Sequence, residues 1–246
     1  VNMSKLELGA QTEALRYLSR TFLSIQRARM AAEKRLTFLL VKKADPWVLN
    51  LLRSTINGFK NYEKEIKREV MKRLEGTELL DWVERVKGLG ETAALLFAGE
   101  INERVSSAGK VWAYWGLTPL SKKRAGQKVV GNPSLKGKAL YITRSLIAGR
   151  KTKAGYYPPD PYYYGYFEAK RHYYTHVKNL NPLVAHYKAV FWLAKLLLSH
   201  AYELKRLDAG LDVSAVRSHR NYIPPKPTKD ALPDDRLLEK IKRGEV

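Results

Sequence analysis

A chain of 246 residues, 45% of them hydrophobic and 28% charged, is long enough for one large or two modest domains, each with a core of its own. Lysine and arginine number 45 against 24 acids, and the formal net charge of +21 favours a polyanion such as nucleic acid over an acidic small molecule as partner. The absence of cysteine excludes disulfides, thiolate metal sites and a cysteine nucleophile, and no apolar run approaches the roughly 18–20 residues that a membrane-spanning helix needs. The first residues carry no charged-then-apolar signal pattern, so the expected location is cytoplasmic and DNA-associated, with no membrane partner.

From Leu15 onward the apolar residues Leu15, Leu18, Phe22, Ile25, Ala28, Ala32, Leu36 and Leu39 recur every three or four positions, close to the a/d spacing of a coiled-coil seam. Strict alternation calls for an apolar residue at Arg29, so the seam is expected to shift to Ala28 there. This helix should reach about residue 43, some 45 Å at roughly 1.5 Å per residue. Asp45-Pro46 then caps and starts a second helix, striped by Leu52, Ile56, Phe59, Tyr62, Ile66, Val70 and Leu74. Residues 1–78 thus read as an antiparallel helical hairpin or coiled coil, a shape that also permits a homodimer.

Residues 77–86 restart as a short helix that runs into Val86-Lys87-Gly88-Leu89-Gly90, and an apolar helix follows from Glu91. Gly88 and Gly90 read as the turn of a helix-hairpin-helix whose bare backbone N–H groups, with Lys87 beside them, suit a phosphate. Ser106 or Ser107 can cap a helix carrying Val111, Trp112 and Trp115, whose rings read as core, and Gly116 ends it. Residues 120–132 are Lys-rich with Gly126 and Gly131, and they read as a loop or a small β-hairpin. Pro133 or Ser134 begins a helix through Ile147. Residues 104–159 hold twelve lysines and arginines and no acid, whereas a solvated helix face mixes both signs; such a run is a surface for a polyanion. The nucleic-acid contacts are therefore expected from Lys87, Gly88, Gly90, Lys110, Lys122, Lys123, Arg124, Lys128, Lys136, Lys138, Arg144, Arg150 and Lys151.

Residues 156–174 contain eight tyrosines, Phe167 and three prolines, and read as a structured loop whose rings pack on the last long helix. Glu168, His172 and His176 fall four apart, as metal ligands on a helix do, but tyrosine and lysine surround them and no metal is expected. Asn181-Pro182 caps a helix over 183–206 that is apolar on nearly all sides and is expected at the centre of a helical domain spanning 79–210. Residues 211–246 read as an extended C-terminal tail that turns helical over 233–243. The fold class expected is all-α.

Taken in order, KGLGETAALLFAGEI (87–101), SAGKVWAYWGLTP (107–119), the glycine loop Ala125-Gly126-Gln127-Lys128, GNPSLKGKALYITRSLI (131–147) and AHYKAVFWLAKLLLSHAYEL (185–204) resemble the C-terminal domain of insertion-sequence family one-ten transposases. Those RNA-guided recombinases pair a RuvC-like DEDD half with a serine-bearing half, and a helical coiled coil precedes the domain. The resemblance implies a protein of a mobile genetic element, plasmid or virus. Two departures bear on chemistry. Residues 1–85 read as helix throughout, so the RuvC-like half is not expected among them. The family's catalytic serine stands just before a glycine in the loop after the Gly-Leu-x-Pro turn; here Ala125 precedes Gly126, and the nearest hydroxyl is Ser121. Alanine cannot replace a serine nucleophile in phosphoester attack, so the resemblance implies the binding scaffold more than the chemistry. The expected function is double-stranded DNA binding, mainly through the phosphate backbone and without a cofactor. Alternatives are a divergent catalytic subunit using Ser121, and an RNA-binding module whose tyrosines stack on unpaired bases.

Overall fold

The structure, a computed structural model, describes residues 5–118, 131–152, 155–219 and 222–246. The chain is all-α, with ten α-helices and one short β-pairing among the described residues. Its contacts divide it into two units: residues 1–75 with 94–100, and residues 76–93 with 101–246.

The first unit is a helical hairpin of α1 (Lys5–Val41) and α2 (Pro46–Leu74), joined by a turn in which Lys43 takes a positive φ of 51°. Asp45 accepts the Trp47 N–H at 3.1 Å and Pro46 occupies the first turn, as the Asp-Pro pair leads one to expect. Leu15, Phe22 and Ala32 of the expected seam are buried, as are Ile56, Val70 and Leu74 of the facing stripe. The middle differs from expectation. Ala28 and Tyr62 are exposed, and Arg29 and Glu63 take the inward places, with Arg29 Nε donating to Glu63 at 2.6 Å and Nη1 to Glu33 at 2.9 Å. Instead of shifting by one residue, the seam carries an ion pair. The end of α4 (Glu91–Glu100) belongs to this unit, where Ser19 Oγ donates to Glu100 Oε1 at 2.7 Å.

The second unit is built around α8 (Pro182–Asp208), whose buried residues occupy several sides, as its all-round apolar sequence predicts. Packed on it are α3 (Glu78–Arg85), α5 (Ala108–Tyr114), α6 (Pro133–Ile147) and α7 (Pro161–His172). Gly116 and Gly131 have φ of 71° and 91°, and a Cβ on Gly131 would lie 2.4 Å from Ala113 O and 2.7 Å from Gly116 Cα. This close approach, with Asn132 N–H on Tyr114 O at 2.9 Å, joins the end of α5 to the start of α6. The segment 120–132 is outside the described residues except for Gly131 and Asn132. A two-stranded antiparallel pairing is found between β1 (Arg150–Thr152) and β2 (Gly155–Tyr157), with Lys151 opposite Tyr156.

The tyrosine-rich segment is a helix where the sequence suggested a loop. Asp160 caps α7 by accepting the Tyr163 N–H, Pro161 fills the first turn, and a π-helical turn (Tyr173–Val177) follows. Tyr162, Tyr163, Tyr166 and Phe167 are buried. After α9 (Ser214–Arg217), the C-terminal segment adds Ile223, Lys226 and Ile241 of α10 (Asp235–Arg243) to the core. Among the described residues no helix is long and apolar enough to cross a membrane.

Candidate nucleic-acid interface

The hairpin between α3 and α4 is built as a packing joint. Gly88 has φ of 97°, a Cβ there would lie 2.4 Å from Ser145 O, and its own carbonyl accepts from Ser145 Oγ at 2.7 Å. Two backbone N–H groups that a phosphate would need donate inside the protein, Lys87 to Asp160 Oδ2 at 2.9 Å and Leu89 to Val86 O at 3.2 Å. Gly90 is exposed, and Glu91 sets a carboxylate in the first turn of α4. The geometry thus makes Gly88 a residue that seats the hairpin on α6, and it leaves the exposed Lys87 side chain as the group able to reach a polyanion.

A more orderly arrangement of cations lies along α5, α6 and α8. Lys195 Nζ sits over the Trp112 ring at 5.5 Å, Lys136 Nζ over Phe191 at 5.2 Å, and Arg144 Cζ over Tyr187 at 5.9 Å. Tyr187, Phe191 and Lys195 are four residues apart on α8, while Lys136 and Arg144 are eight apart on α6, so each set shares one helix face. The pairing order makes the two helices antiparallel. Trp112 is fixed by its Nε1–H, which donates to Lys195 O at 3.0 Å and Ser199 Oγ at 3.2 Å. Burial pushes the Lys195 ammonium pKa down. Neither Lys136 nor Arg144 forms an ion pair among the described residues. A ring under a cation holds it in place without neutralising it, at about 0.5–1 kcal/mol per exposed contact. Such a cation keeps its charge for an external anion, and less side-chain freedom is lost on binding.

Two tyrosines stand out beside this ladder: Tyr141 of α6 is 72% exposed and Tyr187 is 46% exposed. Lys138 is half-buried on α6, Lys110 is exposed in the first turn of α5, and Arg150 and Lys151 lie on β1. Lys122, Lys123, Arg124, Lys128 and Ser121 are outside the described residues, as are Ala125 and Gly126. The structure therefore brings together Lys136 and Arg144 from the expected set, and adds Lys195, Tyr187 and Phe191. Their one signal in the sequence is the four-residue spacing on α8. Trp115 is fully buried, in keeping with a core role.

The buried polar groups of this unit form scaffold. Asp160 and Lys226, both completely buried, pair at 2.8 Å. Trp82 Nε1–H donates to Tyr163 Oη at 2.9 Å, Tyr163 O–H donates to His200 Nδ1 at 2.8 Å, and His200 Nε2–H donates to Ile223 O at 2.8 Å. Burial lowers the His200 pKa to about 4, which keeps the ring neutral. Every polar atom of that chain is engaged and the three rings are sealed from solvent, so it locks four segments together and offers no group to a substrate. Glu168 pairs with Arg171, the His172 and His176 rings lie 4.4 Å apart, and no group of three or more His, Asp or Glu residues among the described ones could hold a metal ion. Comparison with protein-family models, curated proteins and solved structures finds no match to the chain.

Proposed function

We propose that this protein binds double-stranded DNA of a mobile genetic element, mainly through the phosphate backbone, on the face formed by α5, α6 and α8. The observation that carries this reading is the cation–aromatic ladder, in which Lys136 and Arg144 are held over Phe191 and Tyr187 and neither forms an ion pair among the described residues. Both belong to the acid-free stretch 104–159, whose twelve basic residues include them, and the net charge of +21 supplies the long-range attraction. The resemblance to insertion-sequence family one-ten transposases supplies the biological setting. Exposed Tyr141 and Tyr187 beside the same cations favour a second reading, RNA with unpaired bases, and competition between duplex DNA and structured RNA separates the two.

The test is fluorescence anisotropy of a labelled duplex of about 30 base pairs across a salt series. Log affinity should fall linearly with log salt at about 0.9 per phosphate neutralised, so Lys136→Ala with Arg144→Ala should make the slope shallower by about two. Lys122, Lys123 and Arg124 changed together to alanine should flatten it as well. Absence of binding by the wild type at about 100 mM salt overturns the proposal.

A further inference from the structure

The ladder ends at a cleft of about 370 Å³ between α6, α7 and α8. Ile147, Ala148 and Phe167 line it with apolar surface, and the His186 ring stands edge-on to Phe167 at 5.3 Å and 80°. Tyr164, 37% exposed, tilts 39° against Phe167 at 6.1 Å. Arg144, the last cation of the ladder, and Arg171 complete the lining, and the one acid in it, Glu168, is tied to Arg171. An aromatic and apolar slot next to guanidinium groups is complementary to a flat base carrying a phosphate. Its volume lies at the lower end of the ligand-cleft range, about 300–1,000 Å³, the scale of one small ligand such as a single nucleotide.

We propose, on the basis of the nucleic-acid reading above, that this cleft receives a single unpaired nucleotide from the strand lying on α6. The base enters against Tyr164, Phe167 and His186, and its phosphate stays at Arg144. A base inside an intact duplex cannot reach the slot without the cost of unstacking, a few kcal/mol, whereas a bulged base has already lost its partner. The protein therefore discriminates between fully paired duplex and duplex carrying an unpaired base.

Three labelled duplexes test this: one fully paired, one with a single bulged 2-aminopurine, and one with a bulged abasic residue. Base–aromatic stacking on the order of 1–3 kcal/mol corresponds to about 5- to 150-fold in affinity, so the 2-aminopurine bulge should bind about tenfold or more tighter than the paired duplex, with a change in its fluorescence. The abasic bulge, which bends as easily but has no base, should show no comparable gain. Ala148→Trp fills the cleft from an exposed position at the end of α6 and should abolish the gain while leaving paired-duplex affinity unchanged. Tyr164→Ala should reduce the gain, and far-UV circular dichroism checks that both variants fold. Equal affinity for all three duplexes, or equal gains from the two bulges, overturns the cleft and leaves the surface reading standing. Failure to bind any of the three overturns the surface reading and the cleft with it.

Discussion

Gly88 and Gly90 look alike in the sequence and are different in the fold. Gly88 has a positive φ and faces the rigid backbone of α6, whereas a Cβ on Gly90 would meet nothing within 4 Å. Gly88→Ala should therefore cost roughly 2–4 kcal/mol from backbone strain and the collision with Ser145 O, while Gly90→Ala should stay within about 0.5 kcal/mol. Urea midpoints of the two variants measure this, and equal midpoints would mean that Gly88 is not a packing residue. A second single-residue prediction concerns Asp160, whose carboxylate accepts from Lys226 Nζ at 2.8 Å, Lys87 N–H at 2.9 Å and Tyr163 N–H at 3.2 Å with no exposure. Lys226→Met leaves that carboxylate buried without its counter-ion and should cost about 3–5 kcal/mol. Adding Asp160→Asn should restore part of the loss, because the charge that lacked a partner is gone. If thermal denaturation finds the two substitutions additive, Asp160 and Lys226 do not act as a pair.

Among the elements, the position of His200 gives the clearest prediction. The hydrogen-bonded chain from Trp82 through Tyr163 and His200 to Ile223 ties α3, α7, α8 and the C-terminal segment together, and it requires a neutral imidazole. The folded-state pKa, about 4, is depressed below the unfolded value of 6.5, so the stability is fully present above pH 6.5 and drains away as pH falls toward 4. At about 1.4 kcal/mol per pH unit, that gap sets a ceiling of about 3–4 kcal/mol. Melting temperature should fall across this window in the wild type and fall less in His200→Gln; parallel curves would assign the acid sensitivity to other groups. Apolar spacing made this architecture partly legible, since the stripes of α1 and α2 and the all-round apolar character of α8 are local properties of each helix. What escaped it needed two elements at once. Arg29 and Glu63 look out of place on their own helices and make sense only when paired across the hairpin. In α7 the Asp160-Pro161 start signal was readable, but the run of tyrosines suggested a loop. At the candidate interface, the missing acids pointed to Lys136 and Arg144. Their partners Tyr187 and Phe191 were hidden in a helix that reads as core throughout.

Across the whole molecule, the net charge of +21 predicts that stability and the proposed duplex binding should respond to salt in opposite directions. Self-repulsion among like charges opposes folding, and raising salt from about 10 mM to about 0.1 M shortens the Debye length from about 30 Å to about 10 Å. Attractive pairs weaken too, but exposed ones such as Lys72–Glu69 and Lys242–Glu239 contribute little to begin with, and the fully buried Asp160–Lys226 pair is hardly screened. Relief of repulsion therefore outweighs loss of attraction, and added sodium chloride should raise the melting temperature of the free protein by several degrees. Duplex DNA at low salt should do the same by binding the folded state, by about 2.7 kcal/mol when the free duplex is at 100 times its dissociation constant. That increment should shrink as salt rises, because the ions that relieve self-repulsion also weaken phosphate binding. Melting curves over a grid of salt and duplex concentration measure both effects in one experiment. A melting temperature that falls with salt in the free protein would show that attractive pairs dominate and that the basic residues do not repel one another in the fold. An increment from duplex that does not change with salt would place its binding on something other than the phosphates.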